Sequence, residues 1–225
     1  MANFIARKLQ KHKQKSTFAE YGHEIKSFAV DGFGKVQYAQ WQHPFEKPKT
    51  ITASSIKYYQ ELVKPGATIV DIGAHTGDTT VLMALAVGKS GLVVGMEPNK
   101  YVYKVLEANS ELNPKLTNIQ PVCAAATEKN GSFEFNYSDA SFCNGGFLSQ
   151  IENQNHKHDY TLEVQGINFQ EYANEHLSPE RLARLELVKI DAEGYDKEII
   201  KTIADLLRQT QPKLMIECYK KLNLE

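Results

Sequence analysis

Val70-Asp71-Ile72-Gly73-Ala74-His75-Thr76-Gly77 is the stretch on which the fold turns. It reads as the end of a short buried strand that runs into a glycine turn, with a helix opening at Asp78. Glycines at 73 and 77 permit a tight turn and a close approach of backbone to ligand. The free N–H groups of the following helix start suit an anionic group such as a carboxylate. Asp71, at the strand end, is placed to accept a hydrogen bond from an ammonium group.

Working outward, the pattern alternates. Residues 68–72 form an apolar strand, and residues 78–86 a helix with Val81, Leu82 and Leu85 on one face. A strand at 92–96, a helix at 99–112 (apolar at Val102, Val105 and Leu106) and a strand at 118–124 follow. Two more strands, 186–190 and 213–217, flank a helix carrying Ile199, Ile203, Leu206 and Leu207. Apolar strands alternating with amphipathic helices predict an α/β fold: a doubly wound, mainly parallel sheet with helices on both faces. Upstream, residues 24–42 alternate around Gly32 and Gly34 and read as a β-hairpin, and a helix over 52–63 ends at Lys64-Pro65-Gly66. The expected organisation is a basic tail and hairpin extension over 1–50, then a cofactor-binding domain over 51–225.

Residues 131–166 break the rhythm. Strand-like alternation at 132–137 and 160–166 encloses a polar stretch, 138–159, which is either a wall or lid of a second-substrate site or a mobile surface loop. The sequence given stops at Glu225, just past the last parallel strand. Either it is a fragment or the hairpin covers that sheet edge, because an open apolar edge would favour self-association.

The bulk numbers narrow the class. A length of 225 residues suits one domain with a proper core. An apolar content of 42% and a charged content of 24% are those of an ordinary soluble protein. No apolar run approaches the roughly 20 residues that span a bilayer, so stable membrane insertion is not expected. The three cysteines, Cys123, Cys143 and Cys218, form neither a zinc pattern nor a disulfide framework and suit a reducing cytoplasm. Residues 1–15 carry five basic residues and no acid, leaving 21 basic against 27 acidic in the remainder. That tail is a solvated terminus or a short basic amphipathic helix using Phe4, Ile5 and Leu9. The net charge of −1 gives no case for nucleic-acid binding.

The second strand ends in Glu97-Pro98-Asn99, where an acid is placed to accept hydrogen bonds from both hydroxyls of a ribose. A nicotinamide fingerprint, G-x-G-x-x-G, fails because His75 occupies the second glycine position, and the phosphate-binding G-x-x-x-x-G-K-[ST] loop is absent. The D-x-G-x-x-x-G pattern with a strand-end Glu favours S-adenosylmethionine.

Five blocks share one order: VDIGAHTGDTT (70–80), VVGMEPN (93–99), the Asn109 and Asn113 pair, LVKIDAEGYDKEII (187–200) and KLMIECY (213–219). Together they resemble the FkbM family of methyltransferases over residues 61–219, with His75 where that family usually has Asn. The resemblance implies a class I, Rossmann-like methyltransferase with S-adenosylmethionine as cofactor and S-adenosylhomocysteine as product. It puts Asp71, Gly73, Ala74, His75 and Gly77 at the methionine part of the cofactor, and Glu97 with Pro98 and Asn99 at the ribose. Ala125 and Ala126 fall near the adenine ring or simply fill core.

At the chemical end, Asp191 and Glu193 follow the 186–190 strand and are the candidate catalytic carboxylates. Asp191 also belongs with the cofactor-lining residues. Methyl transfer needs alignment and an electrostatic environment, and an acceptor hydroxyl must lose a proton. Asp191 and Glu193 are alternatively a cap and a charge at the next helix start. Lys189 pairs with a site carboxylate or forms a partly buried salt bridge; Glu217, His156 and His158 are weaker candidates. A magnesium ion would need more than this carboxylate pair, and no metal is expected.

The chain lacks the D/N-P-P-Y/F motif of amino-group DNA methyltransferases, and no cysteine follows a proline as cytosine-carbon enzymes require. O-methylation of a small molecule, or of a sugar unit of a glycan or natural product, is what the resemblance implies. The rivals are an NAD-type oxidoreductase on the same architecture and a non-catalytic nucleoside-binding protein. A homo-oligomer is compatible with either.

Overall fold

The computed structural model describes residues 19–137, 160–192 and 195–216, and the backbone of 147–148. The basic tail, His156, His158, Glu193 and Glu217 therefore lie outside the described residues, as does nearly all of 138–159. Strands β1 (His23–Val30) and β2 (Gly34–Trp41) form an antiparallel hairpin. Helix α1 (Ala53–Gln60) begins at Thr52, whose hydroxyl accepts the Ser55 N–H. Then come β3 (Thr68–Ile72), α2 (Asp78–Val87), β4 (Leu92–Met96), α3 (Lys100–Glu111) and β5 (Ile119–Val122). The chain continues through β6 (Ala125–Ala126), β7 (Gly131–Tyr137), β8 (Phe147–Leu148), β9 (Tyr160–Ile167), α4 (Phe169–His176) and α5 (Pro179–Ala183). It ends, among the described residues, with β10 (Leu185–Ile190), α6 (Asp196–Thr202), α7 (Ala204–Thr210) and β11 (Lys213–Ile216).

The main sheet is parallel throughout, in the order β11-β10-β3-β4-β5. Alternation sorts its side chains into two layers. Ile69, Val93 and Leu187 pack with α1, α2 and the hairpin, while Val70, Val94, Val188 and Ile190 pack with α4, α6 and α7. The chain winds outward from β3 through β4 to β5 and then returns to β10 on the other side of β3. This is the doubly wound architecture that the strand–helix pattern predicts, and its order reverses between β3 and β10.

Three elements differ from the sequence reading. The expected strand over 118–124 ends at Val122; after Cys123 and Ala124 the chain joins a second sheet, β6-β9-β7-β8. In that sheet β7 and β9 pair antiparallel along their whole length. Helices α4 and α5 fill a stretch whose caps, Asn168 and Ser178, are ordinary start signals. Finally, the hairpin does not cover the β11 edge. It packs against α3 through Ala39, Trp41, Val102 and Val105.

Two amides fix that packing. Gln37 and Ala39 are two apart in β2, so their backbone groups leave the same strand edge. Asn113 Oδ1 accepts the Gln37 N–H (2.8 Å) and its Nδ2 donates to the Gln37 carbonyl (2.8 Å). One helical turn earlier, Asn109 does the same for Ala39 at 2.7 and 3.1 Å, and its Nδ2 also donates to the Thr76 carbonyl at 2.8 Å. The Asn109–Asn113 pair thus stands in for a neighbouring strand and ties hairpin, helix and glycine loop together.

No helix among the described residues is long and apolar enough to cross a membrane.

Candidate functional site

A cavity of about 500 Å³ opens at the carboxyl ends of β3, β4 and β10, where the strand order reverses. Of the residues singled out in the sequence, Gly73, His75, Glu97, Pro98, Ala125, Ala126 and Asp191 line it. Asp71, Ala74, Gly77 and Asn99 do not line it.

The two loop glycines serve packing. Gly73 has φ +83°, and a Cβ there would fall 1.9 Å from the Asp191 carbonyl oxygen, so the loop lies directly on the end of β10. Gly77 has φ +85°, and a Cβ would meet Leu106 of α3 at 2.9 Å. His75 adopts φ +50°, a conformation that side chains other than Gly and Asn seldom take. Burial pushes its imidazole down to about 4, so the ring is neutral at physiological pH.

Asp71 is turned inward, and the ammonium it meets is that of Lys189. Its side chain is fully buried. Oδ2 accepts from the hydroxyls of Thr80 (2.6 Å) and Thr79 (3.2 Å), and Oδ1 from Lys189 Nζ (3.0 Å). Strand alternation brings this about, because Asp71 and Lys189 are register partners in neighbouring strands and point to the α2 side together. Lys189 Nζ also lies 3.6 Å from Asp191 Oδ2. Burial opposes the lysine's charge, but Asp71 and Asp191 outweigh it and hold the ammonium above its usual range. Asp191, 40% exposed, is the cavity-facing end of the triad Asp71–Lys189–Asp191. It does not cap the next helix, which starts at Asp196 after Tyr195, with no side-chain cap.

Glu97 is buried at the end of β4, with Oε2 accepting the His75 N–H (3.0 Å) and Oε1 the Asn99 N–H (2.8 Å). Burial pushes its carboxyl up to about 7 against the pull of those two N–H groups. Each oxygen keeps a lone pair for a further donor.

Sequence reasoning missed a second wall. Residues 43–49 cross the cavity mouth and supply Phe45, Glu46, Lys47 and Lys49, while β7 adds Phe135 and Tyr137. A turn fixes this segment: the Glu46 N–H reaches the His43 carbonyl at 3.0 Å with Pro44 between, and the Phe45 N–H reaches His43 Nδ1 at 3.1 Å. Lys49 Nζ joins Asp78 Oδ2 (2.7 Å) to Glu46 Oε1 (3.1 Å), a second carboxylate–lysine–carboxylate triad. The His43-Pro44 turn was visible in the sequence; nothing there indicated that it folds over the site. Among the described residues no group of three or more His, Cys, Asp or Glu could hold a metal ion.

A family model described as the methyltransferase FkbM domain matches residues 71–223. A model for protein-L-isoaspartate(D-aspartate) O-methyltransferase matches residues 7–128. Among curated proteins, a protein-L-isoaspartate O-methyltransferase of Triticum aestivum is 30% identical over 117 residues, 50% of this chain and 46% of that protein. Its counterpart from Caenorhabditis elegans is 37% identical over 57 residues, 25% of each chain. The chain thus spans half or less of the length of these relatives. A solved S-adenosylmethionine-dependent methyltransferase of Agrobacterium tumefaciens has a TM-score of 0.46 at 10% identity, covering 88% of this chain and 54% of that one; this likeness is too slight to bear on the site.

The cofactor that the family match brings is S-adenosylmethionine, and the cavity suits it. A buried carboxylate with spare acceptor capacity answers a ribose diol, and the small apolar walls of Pro98, Ala125 and Ala126 answer an adenine ring.

Proposed function

We propose that this chain, which belongs to the FkbM methyltransferase domain family, is an S-adenosylmethionine-dependent methyltransferase. In this reading it methylates a hydroxyl of a small molecule, or of a sugar unit of a glycan or natural product. The observation that carries the reading is Glu97: a buried carboxylate at the end of the second parallel strand, lining the cavity, with one lone pair free on each oxygen. The bound cofactor supplies a methyl group on a sulfonium, an electrophile that needs no further activation.

The chain's own residues would divide the remaining work. Glu97 would accept the ribose hydroxyls, Pro98, Ala125 and Ala126 would sandwich the base, and Gly73 and His75 would border the methionine part. Asp191, oriented by Lys189, would line the reacting centre, with Glu193 beside it in sequence. Phe45, Phe135 and Tyr137 would exclude water from the acceptor side, where the dry environment strengthens electrostatic interactions. The curated relatives are named for isoaspartate O-methylation; with half or less of their length matched, their acceptor is not carried over. The cysteine pattern continues to favour a reducing cytoplasm.

Calorimetry tests the reading. S-adenosylhomocysteine should bind and NAD should not, and Glu97→Ala should weaken the former about a hundred- to ten-thousandfold, since two hydrogen bonds to a charged group contribute roughly 1.5–3 kcal/mol each. Unaltered affinity in that variant would sink the assignment of Glu97. Turnover across an acceptor panel separates an enzyme from a protein that only binds the nucleoside.

A further inference from the structure

We propose that His75 is a positioning residue for the cofactor: its left-handed backbone aims its N–H at Glu97 and holds that carboxylate in place for a ribose, while the N-terminal hairpin backs the turn. The proposal rests on the methyltransferase reading above and deepens it, because it makes a segment outside the strand–helix repeat part of the cofactor site.

Four observations carry it. First, the Gly77 N–H reaches the Ala74 carbonyl at 2.8 Å, so residues 74–77 form a tight turn with His75 at its second position. His75 has φ +50° there, a value that Gly and Asn take readily and β-branched side chains hardly at all. Residues held in such sparsely populated backbone regions cluster at active sites and persist only where their surroundings enforce them. Second, the conformation has a visible product. The His75 N–H meets Glu97 Oε2 at 3.0 Å while the Asn99 N–H takes Oε1 at 2.8 Å, so both carboxylate oxygens are pinned. Third, groups remote in sequence clamp the turn. Tyr38 Oη lies 3.0 Å from Thr76 Oγ1, and Asn109 Nδ2 donates to the Thr76 carbonyl at 2.8 Å. The Trp41 ring meets the His75 ring edge-on, with centroids 5.8 Å apart. Tyr38 and Trp41 both belong to β2, so the hairpin supports the turn through two side chains. Fourth, His75 lines the cavity, which puts the turn within reach of a bound nucleoside.

The electrostatics agree. Burial drives the Glu97 carboxyl upward and Asp71 adds to the rise, while the Asn99 and His75 N–H groups and Lys189 oppose it. Cys123 is a further titratable group coupled to Glu97. Without the His75 N–H the carboxyl moves further up and keeps its proton at neutral pH. A protonated carboxyl has given up part of its capacity to accept hydrogen bonds from a ribose.

Calorimetry with S-adenosylhomocysteine between pH 6 and pH 9 tests this. His75→Ala should bind about tenfold more weakly at pH 7, the scale of the penalty on a left-handed alanine. His75→Val should bind more weakly still; if that variant does not fold, His75→Ala carries the comparison. In both, the pH midpoint of binding should move up, so that the loss shrinks at pH 9. His75→Asn and His75→Gly restore the left-handed turn without the imidazole, and each should recover the affinity to within about threefold and return the midpoint to that of the parent. Tyr38→Phe, which removes the hydroxyl at Thr76 and keeps the ring, should move the midpoint upward by a smaller amount. Equal losses in all four His75 variants would mean that the imidazole acts and the backbone does not. Parent-like binding by His75→Ala and His75→Val at every pH would mean that the turn does not matter, and either result overturns the proposal. An unchanged profile in Tyr38→Phe would overturn the part given to the hairpin. Failure of the parent to bind S-adenosylhomocysteine would instead strike the methyltransferase reading.

Discussion

Two lysines in this molecule do formally the same thing in different settings. Lys189 joins Asp71 to Asp191, and Lys49 joins Asp78 to Glu46. Both triads border one cavity, from opposite sides of the glycine loop. The inner one is built on two adjacent sheet strands and is dry at Asp71 (0% exposed) and Lys189 (9%), opening to solvent only at Asp191 (40%). The outer one is built from a turn and a helix start, with Lys49 and Asp78 at 28% and 32%. The inner triad is part of the sheet framework and reaches the cavity at Asp191. The outer one is a wall that another solvent-facing segment could have supplied.

The sharpest way to break that contrast is to remove each lysine in turn. Lys189→Met leaves Asp71 buried with only the Thr79 and Thr80 hydroxyls, and losing one partner of a buried pair costs about 3–5 kcal/mol. Chemical denaturation at pH 7.5 should show the loss as a lower midpoint with little change in slope. A midpoint within experimental scatter of the parent would mean that the inner triad is not structural.

This difference in setting also explains what the sequence could reveal. Asp71 and Lys189 lie in apolar strands whose period of two places both on one face, so their meeting follows from strand register. Glu97 at the next strand end was legible for the same reason, as was the doubly wound order of the sheet. The outer triad has no period. It depends on how the segment after Trp41 folds back on Gln40, whose amide holds Lys47 and Lys49, and on where the hairpin sits, which the amides of Asn109 and Asn113 fix from some 70 residues away in sequence. The same limit hid the break after Val122, where the chain leaves one sheet for another. The glycine loop was legible as a turn but not in its detail. Gly73 and Gly77 make room for Asp191 and Leu106, contacts made only once the sheet and helices are assembled.

A smaller effect links the inner triad to cofactor binding through pH. Glu97 is pushed up to about 7 by burial, and Asp71 and Lys189 are among the charges that act on it. Since this folded value lies above the unfolded one of 4.5, the stability it contributes is present below pH 4.5 and is lost as pH rises through 7. Ligand binding runs the other way, because ribose hydroxyls donate to the ionised carboxylate. Affinity for S-adenosylhomocysteine should therefore fall on acidification below pH 7, at most about tenfold per pH unit, with one proton released on binding at pH 6. Calorimetry in two buffers of different ionisation enthalpy measures that proton. The profile should keep its midpoint in Lys49→Met; a displaced midpoint there would mean that the two triads are coupled.

Lys49→Met should have the smallest effect on stability. The Lys49–Asp78 pair is about a third exposed, and such pairs contribute within about 1 kcal/mol. Asp78 falls back on water and on the Thr79 N–H, which already helps hold its carboxyl below the usual range against the upward push of burial. Glu46 is the exception, because it is buried and Lys49 opposes the rise that burial imposes on it. Without that lysine its folded pKa moves further above the unfolded one, and the carboxyl takes up a proton at the cavity wall. Stability that depends on the protonated form is lost as pH rises through the folded value. The variant should therefore match the parent more closely at pH 6 than at pH 8.5, and added salt should narrow the gap further where the pair is exposed. Urea midpoints at the two pH values measure both effects. A loss equal to that of Lys189→Met, or one independent of pH, would show that the outer wall is as much a part of the framework as the inner triad.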